Sequence, residues 1–401
     1  MANIRGVRNT NGFNSARIKI EMANEIFELN KSQNPFTLLL SKYRKMTVEN
    51  KKFEWGENDL LESTGENDAQ IAATDTTFHP VDSSGNPLST IFRKYDLIRF
   101  RISPTAFSDV MLVTGHDDST NTINVMREVT SLNGEGGQPA TLVPVNSPFS
   151  IMGNAYEEGS RSGEIISREI DNFYNYVQNF KTTVGITGRT DVTAMYGEND
   201  LDYQKKQRGI EHAFGIEKAF LFGQRGRFTG PDGKEITTTR GLWHFIPNSV
   251  SAGITTPGEI SEDEWELFVK SLFKYNYKET GNVKTVFGGS ILATALNRFA
   301  KPYLNIKQDE TTYGLEIAQY KSPFGRINII YHPKVFDLPA YSNLVVGVDF
   351  GSLGYMALKG RDTRYEPNLQ ENDEDAKKGQ WFTDSGIRVT NAEVNCKLIV
   401  H

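Results

Sequence analysis

Residues 209–224 read GIEHAFGIEKAFLFGQ, an alternation of charged, small and apolar residues that runs into a knot of three bulky side chains. The pattern extends backwards. Asn199-Asp200 offers a cap, and Ile210, Ala213, Phe214 and Leu221 then recur along one side, which predicts a helix over 200–222 ended by Gly223. A helix that finishes in Phe220-Leu221-Phe222 must bury that end against other parts of the fold, because an exposed knot of this size wastes its apolar area.

On either side of this helix the texture changes. The stretch FYNYVQNFKTTVGITGRTDV before it alternates aromatic or branched residues with polar ones, so residues 168–196 read as strand material. After it, Thr229–Lys234 (TGPDGK) is a tight turn, which makes 225–240 an exposed hairpin. Further on, Ser261 and Glu264 have the spacing of a capping box. Trp265, Phe268, Val269, Leu272 and Phe273 fall on one face of the helix it starts. The strand VKTVFG, a helix from Ser290 to about Ala300, and strands around 315–320, 327–331, 344–350, 355–359 and 394–400 complete an α+β body. Leu369–Lys378 reads as a solvated acidic loop.

Towards the amino terminus the chain is less regular. Residues 85–155 are all-β in texture, with strands at 97–102, 110–114, 122–125 and 149–152, turn clusters between them and a glycine-rich loop at Leu132–Gln138. Residues 53–90 are a polar excursion around Phe53-Glu54-Trp55, whose indole should be buried. Residues 1–52 offer one short helix candidate at Met22–Asn30 and the apolar patch PFTLLL at 35–40. That is too little for a core, so the segment reads as an arm that orders by lying on something else.

Composition bounds the function. With 401 residues, 38% hydrophobic and 23% charged, the chain suits a folded protein of two or three domains. No apolar run approaches the roughly 20 residues that span a bilayer, and MANIRGVRNTNGF lacks the apolar core of a secretory signal. One cysteine, Cys396, excludes an internal disulfide and Cys-cluster metal sites, and reads as inert core in a cytoplasmic setting. The net charge of −6 is divided unevenly: residues 1–52 hold ten Lys/Arg against four Asp/Glu, so the remaining chain is strongly acidic. Without a dense basic block, this favours docking of the arm on an acidic neighbouring copy over nucleic-acid binding.

Catalytic patterns are missing. The histidines, His79, His116, His212, His244, His332 and His401, share no metal-ligand spacing, and His212 reads as a packed or surface residue. The glycines at 134–137 lack the strand–turn–helix context of a dinucleotide loop, GPDGKE has the wrong glycine spacing for a phosphate loop, and no G-x-S-x-G elbow occurs. The expectation is no enzyme, no cofactor and no metal. Against this, 24 Phe, 16 Tyr and 4 Trp supply the residue types that anchor interfaces.

The order of these pieces resembles the major capsid proteins of tailed bacteriophages with the Hong Kong 97 fold, in the branch of the Salmonella-phage-type major head protein family. The stretches that carry the resemblance are PFTLLLSKYRKMTVENKKFEWGENDLL, DVMLVTG with INVMREVTS, FSIMGNAYEEGS, NFKTTVGITGRTDV, IEKAFLFGQ and TRGLWHFI. Each is short; their fixed order makes the likeness specific. It covers most of the chain from about residue 35, and residues 1–30 and 300–375 match least.

The resemblance implies an amino-terminal arm at 1–52 and an extended-loop region at 53–180 with the 85–155 β module inserted. A peripheral domain would comprise 181–255 and 376–401, with 200–222 as its spine helix, and an axial domain 256–375. Gly209, Ala213 and Gly215 would let a sheet or neighbour approach the spine. The implied function is a subunit that self-assembles through hexamers and pentamers into an icosahedral shell around double-stranded DNA, held weakly, with portal, scaffold or decoration proteins as further partners. Phe53, Trp55, Phe220, Phe222 and Trp243 are the expected subunit-packing anchors. Arg5, Arg8, Arg17 and Lys19 are the expected arm contacts with a neighbour or with DNA. Two alternatives remain open: an encapsulin-like compartment loaded with cargo, and a multidomain hydrolase with an appended β module.

Overall fold

The computed structural model describes residues 34–58, 63–128, 139–167, 169–193, 200–254, 256–276, 282–303 and 317–401. The helix candidate at Met22–Asn30, the arm residues Arg5, Arg8, Arg17 and Lys19, and the glycine-rich loop at Leu132–Gln138 lie outside them. The chain divides into two compact units. One holds the described residues up to Trp55 together with Asn172–His401, and the other is Gly56–Asp171. Helices among the described residues are α1 (Pro35–Tyr43), α2 (Gly188–Val192), α3 (Asp200–Phe222), α4 (Leu242–Phe245), α5 (Glu262–Leu272), α6 (Ser290–Tyr303) and α7 (Pro333–Phe336).

The larger unit contains two main sheets. The first runs Lys45–Val48, Leu353–Leu358, Ala376–Val389, Gln178–Thr187, with Arg364–Pro367 also paired to the third of these. Its longest ladder joins Gln178–Thr187 antiparallel to Ala376–Val389, from Gln178 opposite Ser385 to Thr187 opposite Ala376. Helix α3 lies along this ladder. The Trp381 indole N–H donates 2.9 Å to the Lys205 carbonyl, and a Cβ on Gly209 would sit 3.1 Å from the Trp381 ring. Gly209 thus permits the approach of the sheet, whereas Gly215 faces open space. The segment Gly188–Val192, expected as strand, forms α2 instead, because the Thr187 hydroxyl accepts from the Thr190 N–H and caps a helical turn.

The second sheet has the order Ser249–Ala252, Cys396–Val400, Leu344–Val348, Val283–Gly288, Gly325–Tyr331, Ile317–Ser322. Helix α5 carries the expected capping box between Ser261 and Glu264. It buries Trp265, Phe268, Val269 and Leu272 in a core shared with Leu292 and Leu296 of α6 and with Val345 and Leu398 of the sheet.

The sheets do not divide the chain where the sequence reading did. Cys396–Val400 and Ser249–Ala252, expected beside α3, belong to the second sheet, and Leu353–Leu358 and Arg364–Pro367, expected beside α5, belong to the first. Alternation gives Cys396, Leu398 and Val400 an apolar face, but only the pairing of Leu344–Val348 with Cys396–Val400 decides which core receives it.

A second difference concerns the arm. From residue 34 onward it is part of its own unit. Phe36, Leu39 and Leu40 of α1 are buried in the core that also holds Phe220, Leu221, Tyr355 and Ile387. Lys45–Val48 extends the first sheet, parallel to Leu353–Leu358. PFTLLL is core because distant segments supply its partners, which the local sequence does not display.

The smaller unit is a seven-stranded sheet in the order Thr77–Phe78, Thr122–Met126, Met111–Asp117, Asp96–Phe100, Pro148–Asn154, Thr64–Asn67, Pro80–Val81. It begins at Thr64 rather than near 85, since part of the polar excursion forms its edge. The core is its own: Phe78 meets Phe100 and Phe92 edge-on at 5.2 and 5.9 Å, and Phe149 packs 5.5 Å from Phe100. Beside it, the buried Arg127 guanidinium binds Asp109 at 2.7 Å and donates to the Ala72 and Thr141 carbonyls at 2.6 Å.

Candidate assembly surfaces

The expected packing anchors fall into two groups. Phe53 and Trp55 lie on the strand Lys52–Glu57, and Trp55 is surrounded by Phe53 and Phe245 at 6.0 Å and by Phe173 at 6.4 Å. Phe220 is buried 5.7 Å from the Tyr355 ring. These three, expected as contacts to a neighbour, are less than a tenth exposed and pack in the core of their own chain. Phe222 and Trp243 are half-buried. Phe222 stacks face to face on Tyr341 at 4.1 Å and meets Phe336 at 5.7 Å and Trp243 at 6.1 Å. The bulky end of α3 therefore closes on its own chain.

The turn after α3 depends on two glycines. The Gly241 N–H donates 2.7 Å to the Gly223 carbonyl. A Cβ on Gly241 would stand 2.6 Å from the Gly223 nitrogen and 2.8 Å from the Leu221 carbonyl, and one on Gly223 would stand 2.4 Å from the Ala219 oxygen. Only glycine lets these backbones cross so closely.

Buried polar groups tie distant segments into this scaffold. His212 is packed, as expected, with the Thr182 and Thr383 hydroxyls on its two ring nitrogens at 3.0 and 2.9 Å; burial lowers its pKa. Asn175 spends its amide on Thr239, Arg240 and Ile387, joining strand Asp171–Tyr176 to the segment before α4 and to the long strand Ala376–Val389. Glu217 of α3 accepts 3.1 Å from the Phe36 N–H at the start of α1, and the same oxygen lies 3.1 Å from His332 Nε2 before α7. Lys284, almost wholly buried, donates to the carbonyls of Leu272, Tyr275 and Val394 at 2.6, 2.6 and 2.8 Å. Burial pushes the Lys284 ammonium down to about 8, with Asp349 acting in the opposite direction.

The apolar groups left outside these cores are the candidate contact surface, and the sequence reading missed most of them. The hairpin Gly226–Thr229 with Glu235–Thr238 places Phe228 directly opposite Ile236, and the two are 52% and 40% exposed. On the same ribbon Glu235 binds Arg227 at 2.6 Å and Lys51 at 2.8 Å, and these hydrogen bonds lower its pKa. A two-stranded ribbon is marginal by itself, so an uncovered Phe–Ile pair on it is suited to burial against another surface. Leu267 projects from α5 away from its buried face, and in the smaller unit Phe107, Leu142, Val145 and Met152 are exposed. A signal for the hairpin pair did exist: Phe228 and Ile236 flank the TGPDGK turn at positions that a two-stranded ladder brings together.

Among the described residues no three or more His, Cys, Asp or Glu side chains are grouped to hold a metal ion. No described helix is long and apolar enough to cross a membrane. Cys396 is buried, its pKa raised by burial, with Ser271 at 3.5 Å.

Comparison with known proteins adds what geometry does not supply. The family described as SU10 major capsid protein matches residues 6–400. The major capsid protein of Pseudomonas phage PaMx41 is 24% identical over 238 residues, which cover 57% of this chain and 56% of that relative, so the match spans little more than half the relative's length. Among solved structures, a capsid of a native GTA particle aligns over 98% of this chain and 97% of its own at 11% identity and a TM-score of 0.46. The capsid of Myoviridae phage XM1 aligns over 62% and 81% at 12% identity and 0.40. An encapsulin complex from Synechococcus elongatus aligns over 57% and 77% at 10% identity and 0.39. With the match running nearly from end to end, the chain belongs to the SU10 major capsid protein family.

Proposed function

We propose that this protein is the structural subunit of a tailed-bacteriophage head, and that copies of it assemble into an icosahedral shell enclosing double-stranded DNA. The observation that carries this reading is the family match over residues 6–400. In this reading the fold is of the Hong Kong 97 type. The first sheet with α3 is the peripheral domain, the second sheet with α5 and α6 is the axial domain, and Gly56–Asp171 is the extended-loop region enlarged by its own β module. The role is structural rather than catalytic, and the virion is where the protein resides.

Assembly would proceed through hexamers and pentamers of identical copies. Such interfaces bury about 2,000 Å² or more per pair, and shell closure makes individually modest contacts collectively hard to undo. The net charge of −6 suits a container whose DNA must leave freely, since fewer basic contacts to phosphate mean weaker binding. Portal, scaffold or decoration proteins would be additional partners.

Negative-stain imaging of the purified protein, with its scaffold protein co-expressed if one is needed, tests the reading. The expected result is closed particles tens of nanometres across. A protein that stays monomeric or dimeric under both conditions overturns it, and particles that enclose a protein cargo instead of DNA overturn the DNA assignment.

A further inference from the structure

The hairpin after α3 turns its two faces to different surroundings. On one face the Thr237 hydroxyl donates 2.6 Å to the Val177 carbonyl, and Glu235 accepts from Lys51 at 2.8 Å, so this side is satisfied by its own chain. Phe228, Lys234 and Ile236 alternate onto the other face, where Phe228 stands directly opposite Ile236. All three are exposed. The surroundings of the hairpin are basic. Residues 224–240 hold four Lys/Arg against two Asp/Glu, and Lys52 joins Arg225 on the Tyr174 ring, at 4.4 and 3.9 Å from its centre.

A loop of the converse character lies at the far end of the same sheet. Residues 368–376 read NLQENDEDA, with four Asp/Glu and no Lys or Arg. Leu369, Glu371, Asp373 and Asp375 are exposed. The base of the loop is pinned: the Leu369 N–H donates 2.9 Å to the Lys378 carbonyl, and the Gly188 N–H donates 3.1 Å to the Asp375 carbonyl. Lys377 binds Asp191 at 2.7 Å, which brings α2 and its exposed Val192 alongside. The long ladder sets the distance between loop and hairpin. The Thr239 N–H, just past the hairpin, donates 3.1 Å to the Gln178 side chain, whereas the loop runs into Ala376, opposite Thr187. From Gln178 to Thr187 the strand rises about 30 Å. The hairpin and the loop of one chain therefore cannot touch each other.

We propose that the outer face of the hairpin docks on the 368–376 loop of a second copy of this chain, head to tail, with Leu369 against Phe228 and Ile236 and with Glu371 and Asp373 towards Lys234. The occupant is a second copy because every chain carries the surface of opposite charge and matching apolar content, held out of its own reach. The contact rests on the proposed assembly of identical copies and names two of the surfaces that meet. Since the two surfaces differ, the contact is heterologous: an open row of copies leaves one hairpin and one loop uncovered, and only a closed ring covers them all. Charge sets approach and register, and the apolar residues supply the area removed from water.

The test co-expresses full-length protein carrying Phe228→Cys with full-length protein carrying Leu369→Cys. Purified assemblies are mildly oxidised, and the link is read by non-reducing gel and peptide mass spectrometry. Both positions are exposed, and the native Cys396 is buried. The expected result is a 228–369 disulfide between chains. It should exceed by about fivefold the link from either protein alone, or from Phe228→Cys with Leu267→Cys on α5, because docking raises the effective concentration of one thiol at the other. Lys234→Glu should lower both the link and the particle yield several-fold, as should Glu371→Lys with Asp373→Lys, and combining all three should restore them. Particles without the link, a link within one chain, equal linking at 267, or no recovery on combining the reversals would each overturn the contact while leaving the shell in place. If the wild type forms no particles, the shell fails by itself. The contact is then judged by the same link in concentrated soluble protein, and no link there overturns it too.

Discussion

The Lys284 ammonium lies 2.6 Å from the carbonyl oxygen of Leu272, the last residue of α5, and both are buried. This contact ends a helix without a glycine cap: a side chain from the neighbouring strand Val283–Gly288 supplies the donor, and the Tyr275 and Val394 carbonyls share it. The charge is favoured there by the helix C-terminus and opposed by burial.

The first prediction follows from the lowered pKa of Lys284, about 8 against 10.5 for the free side chain. Between those values the unfolded chain binds the proton and the folded one does not, so raising the pH favours folding. Below about 8 both states are protonated and this group adds no slope. The gain across the window is at most about 3 kcal/mol. Urea unfolding at pH 7.5 and pH 10 should show a rise in wild type relative to Lys284→Met. At pH 7.5 the variant itself should be less stable by about 2–4 kcal/mol, because three buried carbonyls lose their donor.

Gly241→Ala should destabilise the larger unit by at least about 2 kcal/mol, because the new methyl group meets backbone atoms of Leu221 and Gly223 that cannot rotate away. Thermal unfolding and soluble yield report it. Gly215→Ala, on the open side of the same helix, should be neutral or stabilising by up to about 1 kcal/mol.

In the smaller unit, Arg127→Met should cost about 3–5 kcal/mol by leaving Asp109 buried without its partner. Since this sheet has its own core, hydrogen exchange should accelerate across Gly56–Asp171 while α3 and α5 keep their protection.

Phe228→Ser with Ile236→Ser should leave monomer stability within about 0.5 kcal/mol, as exposed substitutions generally do. If the hairpin is a contact between subunits, particle yield by negative stain should fall at least tenfold. Unchanged yield removes the hairpin from the interface.

Deleting residues 1–30 should give a folded protein that assembles poorly, because α1 and its bond to Glu217 remain. Circular dichroism and particle counts separate the two effects, and normal shells from the truncation would exclude an assembly role for the arm.

How far the sequence could be read depends on whether a signal is local. The capping box of Ser261 and Glu264 and the stripe from Trp265 to Leu272 lie within three turns of one another, and the structure contains the helix they describe. The span of α3 and the hairpin at 226–238 were legible for the same reason. Phe36, Phe53, Trp55 and Phe220 were visible as apolar but not as belonging to their own chain, since the groups that bury them are remote in sequence. Phe36 meets Glu217 across 181 positions. The sheet that takes Cys396–Val400 was hidden likewise, because an alternating strand fits either core until its neighbour is known.

One feature of the path bears on how such a chain could diversify. The chain leaves the larger unit along Lys52–Glu57 and comes back along Asp171–Tyr176, and these two strands pair with each other. The stem of the excursion is therefore closed by its own ladder, whatever hangs from it. Lineages could swap, trim or enlarge that appendage without disturbing the scaffold, and an engineer could graft a foreign peptide or an entire displayed protein there.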